Sequence, residues 1–106
     1  MSEFVKLTTL ANLPAEGEAK SFELDGALLC VSRVNGRIGV IEGRCPHRGA
    51  PLGTGTIEGG HLICPYHNWE FDPFTGEGYG LSDGDIGAYE VKIERRAVYI
   101  RRKEKE

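Results

Sequence analysis

Cys45-Pro-His-Arg-Gly-Ala-Pro-Leu52 and Cys64-Pro-Tyr-His-Asn-Trp-Glu-Phe-Asp72 are two loops of one design, each offering a cysteine and a histidine. Cys45 and His47 stand one residue apart and Cys64 and His67 two apart, with sixteen residues from Arg48 to Ile63 between the pairs. Two thiolates and two imidazoles suit a metal centre, and a tetrahedral zinc ion accepts that set, so zinc stays open on spacing alone. Zinc sites, however, usually place their two cysteines together and their two histidines together. Here each loop supplies one of each. A two-iron, two-sulfide cluster with both cysteines on one iron and both histidines on the other uses this alternation.

Outward from the loops, 106 residues set the scale of one small domain with one core, and the whole chain 1–106 is read that way. Fifteen glycines are about twice the usual frequency of ~7%, so tight turns should be abundant. The formal charge is −3, and no basic stripe stands out before the last few residues, which argues against nucleic acid. No stretch approaches the ~18 apolar residues of a membrane span, and Met1 to Lys6 has no apolar leader pattern. The expectation is a soluble, cytoplasmic protein. Of three cysteines two belong to the loops, and Cys30, within Ala-Leu-Leu-Cys-Val, reads as a buried thiol packing as a small hydrophobe.

The remaining chain reads as short strands. Phe4 to Leu10 is extended, and residues 18–25 alternate before Gly26 turns them. Leu28 to Val34 and Ile38 to Ile41 flank Asn35-Gly36, the strongest short hairpin signal, which places Cys45 just past a strand end. A second hairpin, Thr56–Glu58 and His61–Ile63 about Gly59-Gly60, leads directly into Cys64. Trp69 to Asp72 is extended, Pro73 to Gly76 is a turn, and Tyr89 to Glu94 with Ala97 to Ile100 forms a closing hairpin. No segment of ten residues has a helical period. The fold class is therefore all-β, a small antiparallel barrel or sandwich.

With both prolines after the cysteines, both ligand spacings, and Trp69-Glu-Phe-Asp-Pro73 followed by Thr75-Gly76, the central stretch resembles the Rieske [2Fe-2S] family. The resemblance implies a rubredoxin-like subdomain of about residues 43–76 inserted in the β base. It also implies one [2Fe-2S] cluster held by Cys45, His47, Cys64 and His67. Two ferric irons, two sulfides, two thiolates and two neutral imidazoles sum to zero charge, whereas four thiolates give −2. Reduction is correspondingly easier: about −150 to +300 mV against about −400 mV, roughly 6 kcal/mol even at the low end. High-potential members carry a second cysteine in each loop, joined as a disulfide, and a Ser and a Tyr bonded to the cluster. Ala50, Tyr66, Trp69 and Phe71 occupy those positions here, so the resemblance implies the low-potential class and no disulfide.

Function follows the same resemblance: a Rieske-type ferredoxin, a one-electron carrier from a flavoprotein reductase to a terminal, aromatic ring-hydroxylating type oxygenase. Docking is expected at the His47/His67 tip, with Pro51 and Leu52 adding a small apolar contact. His61, the one histidine outside the loops, reads as a hairpin surface residue, and Arg48 as either a partner guide or a solvated charge. Trp69 and Phe71 read as core, and how the loop from Glu77 to Asp85 covers the cluster is left open. One spare histidine and the 39 residues after His67 do not suffice for an oxygenase iron site, so no catalytic residues are expected. Two other readings stand beside this one: the small subunit of an assimilatory NAD(P)H nitrite reductase, and a module stabilised by structural zinc.

Overall fold

A computed structural model describes residues 3–44, 51–65, 69–79 and 86–103, and in them the elements joined by turns and loops are all strands but for two single 3-10 turns, Leu10–Asn12 and Leu52–Thr54. The larger sheet has six antiparallel strands in the order β1 (Val5–Thr9), β10 (Ala97–Arg102), β9 (Ala88–Glu94), β4 (Arg37–Glu42), β3 (Ala27–Val34), β2 (Ala19–Leu24). Leu7 on one edge strand and Phe22 and Leu24 on the other pack on the same core of Leu29, Val31, Val40 and Ile100. The sheet therefore curls into a nearly closed barrel. The smaller sheet runs β5 (Thr56–Glu58), β6 (His61–Ile63), β7 (Glu70–Phe71), β8 (Gly78–Tyr79).

Strand β3 explains why the most apolar run of the sequence lies where it does. Leu29 and Val31 point into the barrel, while Cys30 joins Ile41, Leu62 and Phe71 in a second core beneath the smaller sheet. A strand covered on both faces must be apolar at successive positions. Cys30 has no exposed surface, and burial pushes its thiol up to about 12, against a slight opposing pull from the Ser32 hydroxyl at 4.0 Å. It stays a protonated packing group, as expected from the sequence.

Three two-residue turns of the barrel have both residues in the left-handed region: Asp25-Gly26, Asn35-Gly36 and Arg95-Arg96, the last at φ 51° and 66°. This is the type I′ geometry that matches the twist of a hairpin. Asp, Asn and Gly tolerate it, but an arginine there is strained by about 1 kcal/mol. Replacing the pair as R95N/R96G is expected to raise the unfolding free energy by about 1 kcal/mol, seen as a higher urea midpoint at unchanged slope.

Candidate metal centre

Both ligand loops are closed at their feet by backbone hydrogen bonds. Strand β4 ends at Glu42; beyond it Arg44 and Pro51 form an isolated antiparallel bridge, and the Leu52 amide donates to the Gly43 carbonyl at 2.8 Å. Residues 45–50, which hold Cys45, His47, Arg48 and Ala50, fall between these anchors in sequence and lie outside the described residues. The second loop repeats the device at its foot: the Cys64 amide donates to the Trp69 carbonyl at 2.7 Å. Tyr66 and His67 are outside the described residues as well. Of the four candidate ligands, Cys64 is the one whose position is described.

Cys64 sits on an apolar floor. It has no exposed surface and belongs to one cluster with Leu52, Leu62, Phe71 and Ile86, with Trp69 packed against it. Because Leu52 ends the first loop and Cys64 begins the second, this shared cluster sets the feet of the loops side by side. The approach is close: a Cβ on Gly55 would collide with the Ile63 carbonyl, so only glycine fits there. Leu52 departs from the sequence expectation. Rather than adding an apolar contact at the tip it is wholly buried in the floor, because the 3-10 turn after Pro51 directs it inward. Trp69 and Phe71 are core, as expected, and neither Cys30 nor Cys64 is disulfide-bonded.

Side chains brace the feet. Glu42 accepts from the Gly87 amide at 2.8 Å and pairs with Arg102 at 3.1 Å, tying the strand that leads to Cys45 to the segment after residue 85. Asp72, just past β7, accepts from the Phe74 and Thr75 amides at 2.7 and 2.9 Å and from the Tyr79 hydroxyl at 3.2 Å. Desolvation would raise its pKa, but the amide, tyrosine and Thr75 hydroxyl bonds together outweigh it and lower the pKa. Burial and the neighbouring Asp72 raise that of Tyr79. His61 is on the surface, as expected, with Nδ1 3.0 Å from Glu70 and its ring stacked on Tyr79 at 4.3 Å. The sequence signal for the turn, Asp-Pro-x-Thr-Gly, was legible; that Tyr79 closes it was not.

Since the folded state holds Asp72 below its unfolded value of about 3.9, its contribution is full above that pH and is lost as pH falls through the folded value. Wild-type protein is therefore expected to lose stability from about pH 4 downward, and Asp72→Ala to have lost part of that dependence. At neutral pH the same substitution should cost about 1 kcal/mol, since the two amides and two hydroxyls lose their acceptor at a partly exposed turn. Urea titrations of both proteins between pH 3 and 7 check both outcomes.

Among the described residues no three His, Cys, Asp or Glu side chains converge on one point. What is described nevertheless fits the expected cluster: a thiol unbound to another cysteine, delivered at a pinched loop foot onto an apolar floor, suits a thiolate that must be shielded from water. No helix among the described residues is long and apolar enough to cross a membrane.

Comparison with known proteins agrees with this geometry. The family model of the Rieske [2Fe-2S] domain matches residues 3–86. The ferredoxin component of the naphthalene 1,2-dioxygenase system of Pseudomonas aeruginosa is 30% identical over 99 residues, 92% of this chain and 94% of that protein. A 37-residue stretch is 54% identical to 4beta-methylsterol monooxygenase of Methylococcus capsulatus, covering 35% of this chain. The chain spans only 10–14% of the length of several such larger curated relatives. Among solved structures, the complex of reduced oxygenase and oxidized ferredoxin in carbazole 1,9a-dioxygenase contains a chain matching at TM-score 0.80 and 27% identity, over 92% of this chain and 91% of that one. The barrel with its smaller sheet, the two pinched loops and the family match over most of the chain carry one conclusion: the protein belongs to the Rieske [2Fe-2S] domain family and has that family's two-iron, two-sulfide cluster as its cofactor.

Proposed function

We propose that the chain is a Rieske-type ferredoxin that carries single electrons from a flavoprotein reductase to a terminal oxygenase of the aromatic ring-hydroxylating type. The observation that carries this reading is the near end-to-end match to a separate ferredoxin component of a naphthalene dioxygenase system. Larger relatives embed a similar segment in a much longer chain. The same match favours a carrier over the nitrite reductase subunit and the zinc-stabilised module. The bound cluster supplies the redox chemistry, one electron in and one out.

The chain's own residues hold and shield it. Cys45 and Cys64 would bind one iron and His47 and His67 the other, with the floor of Leu52, Leu62 and Phe71 on the Cys64 side to exclude water. We assign the two histidines to the exposed tip, where the reductase and the oxygenase dock in turn, and place the protein in the cytoplasm. The oxygenase and ferredoxin found together in the carbazole dioxygenase complex support the acceptor half of this assignment. Such encounters are small and transient.

Electron paramagnetic resonance of the dithionite-reduced protein tests the centre: nitrogen ligation at one iron lowers the average g value relative to an all-sulfur [2Fe-2S] cluster. Turnover tests the relay. Adding the protein to a purified flavoprotein reductase and an aromatic-ring dioxygenase is expected to restore product formation that neither enzyme supports without it. A colourless, redox-silent, zinc-containing protein would overturn the reading.

A further inference from the structure

Strands β4 and β9 hold together over a very short length. They pair at Val40 with Tyr89 and at Ile41 with Ala88, and the Glu42 amide bonds to the Gly87 carbonyl at 2.8 Å. β4 continues back to Arg37 and β9 on to Glu94, yet no pairing joins these parts. Antiparallel strands present their amide and carbonyl groups to alternate sides. The Gly43 amide bonds to the Leu28 carbonyl across the β3 side and that of Glu42 to Gly87 across the β9 side, so the backbone groups of Ile38 and Val40 face β9. Likewise the Lys103 amide bonds to Ala88 on the β10 side, so those of Tyr89, Val91 and Ile93 face β4. Ile38, Val91 and Ile93 therefore line a cleft of about 430 Å³ with open edges on both sides.

The side chains around the cleft have a definite pattern. Ile38 and Val91 turn toward the barrel core, and Ile93, also lining the cleft, is an apolar side chain left 49% exposed. On the outer side stand two cations, Lys103 and Arg37, the latter 4.1 Å above the ring of Phe74. Among the described residues that line it the one carboxylate, Glu90, is paired with Arg101 at 2.9 and 3.3 Å. We propose that this cleft accepts an extended acidic segment of a partner protein as an added strand between β4 and β9. Its alternate side chains would be apolar toward Ile38, Val91 and Ile93 and acidic toward Arg37 and Lys103. Main-chain bonds provide affinity in such strand addition, and the alternation provides selectivity.

The test uses the cluster-loaded protein and three labelled peptides read by fluorescence anisotropy: acetyl-(Val-Glu)3-amide, acetyl-(Val-Lys)3-amide, and the acidic peptide N-methylated at alternate residues. The acidic peptide is expected to bind, the basic one at least ten-fold more weakly, and the N-methylated one to lose most of its affinity through its missing donors. The R37E/K103E variant is expected to reverse the preference, with the cluster's absorbance and reduced-state resonance as the check that the fold is intact. Absence of binding at millimolar peptide, or equal binding of acidic and basic peptides, overturns the proposal. So does undiminished binding of the N-methylated peptide, which would reduce the effect to charge adsorption.

Discussion

Cys64→Ser is expected to abolish the visible absorbance and the reduced-state resonance of the [2Fe-2S] cluster, whereas Cys30→Ala leaves both in place. The contrast separates two cysteines that are equally buried and belong to the same apolar cluster. Cys30 lies mid-strand on β3, its thiol pushed up to about 12, with no route to a thiolate. Cys64 lies at the foot of a loop whose closing bond, from its own amide to Trp69, turns the chain back on itself. A serine hydroxyl at that position is a poor ligand for iron and deprotonates far less readily than a thiol. Iron and acid-labile sulfide per protein are the measurements. Full cluster content in the Cys64 variant would remove this residue from the ligand set, and loss of the cluster in the Cys30 variant would show that packing alone governs retention.

Phe71→Ala is expected to be the most damaging single truncation of the floor. The ring is fully buried, pairs across the smaller sheet with Leu62, and shares its core with Cys64. Removing such a ring costs about 3–5 kcal/mol in lost transfer energy and residual cavity. A domain of this size has a total of only about 5–15 kcal/mol, and the midpoint of thermal unfolding should fall by roughly 15–30 °C. Phe71→Leu keeps much of the volume and should cost clearly less than Phe71→Ala. Thermal scans of the two variants, followed at the cluster absorbance and at the peptide bond, check the ordering. Equal stability of both variants would mean that the floor is not what supports the second loop.

The local parts of the fold were legible because their signals are local. Asn35-Gly36 and Gly59-Gly60 between β-prone runs, and the alternation from Tyr89 to Ile93, each specify a hairpin within a dozen residues, and the turns form where they were expected. Strand β8, two residues beyond the Pro73 turn, has too little sequence to show a period. The pairing of β1 with β10 joins the two ends of the chain, and nothing in either strand names its partner. Leu52 shows the same limit at the site. Between prolines and glycines it reads as an exposed loop residue, and its burial depends on β6 and β7 arriving from later in the chain. The family was the most legible feature, because the two Cys-and-His loops that suggested it lie within the match of the Rieske domain model to residues 3–86.

The pinched feet of the two loops matter for speed as well as for assembly. An electron can hop only when donor and acceptor reach matched energies, and every atom that must shift with the change of charge raises that barrier. With Arg44 bridged to Pro51, and Cys64 bonded to Trp69, the backbone on either side of the centre has little freedom to relax. The buried floor beneath it has little water to reorient. In the carrier role proposed above, a frame of this kind keeps that barrier low, so that charge can pass within the brief life of an encounter.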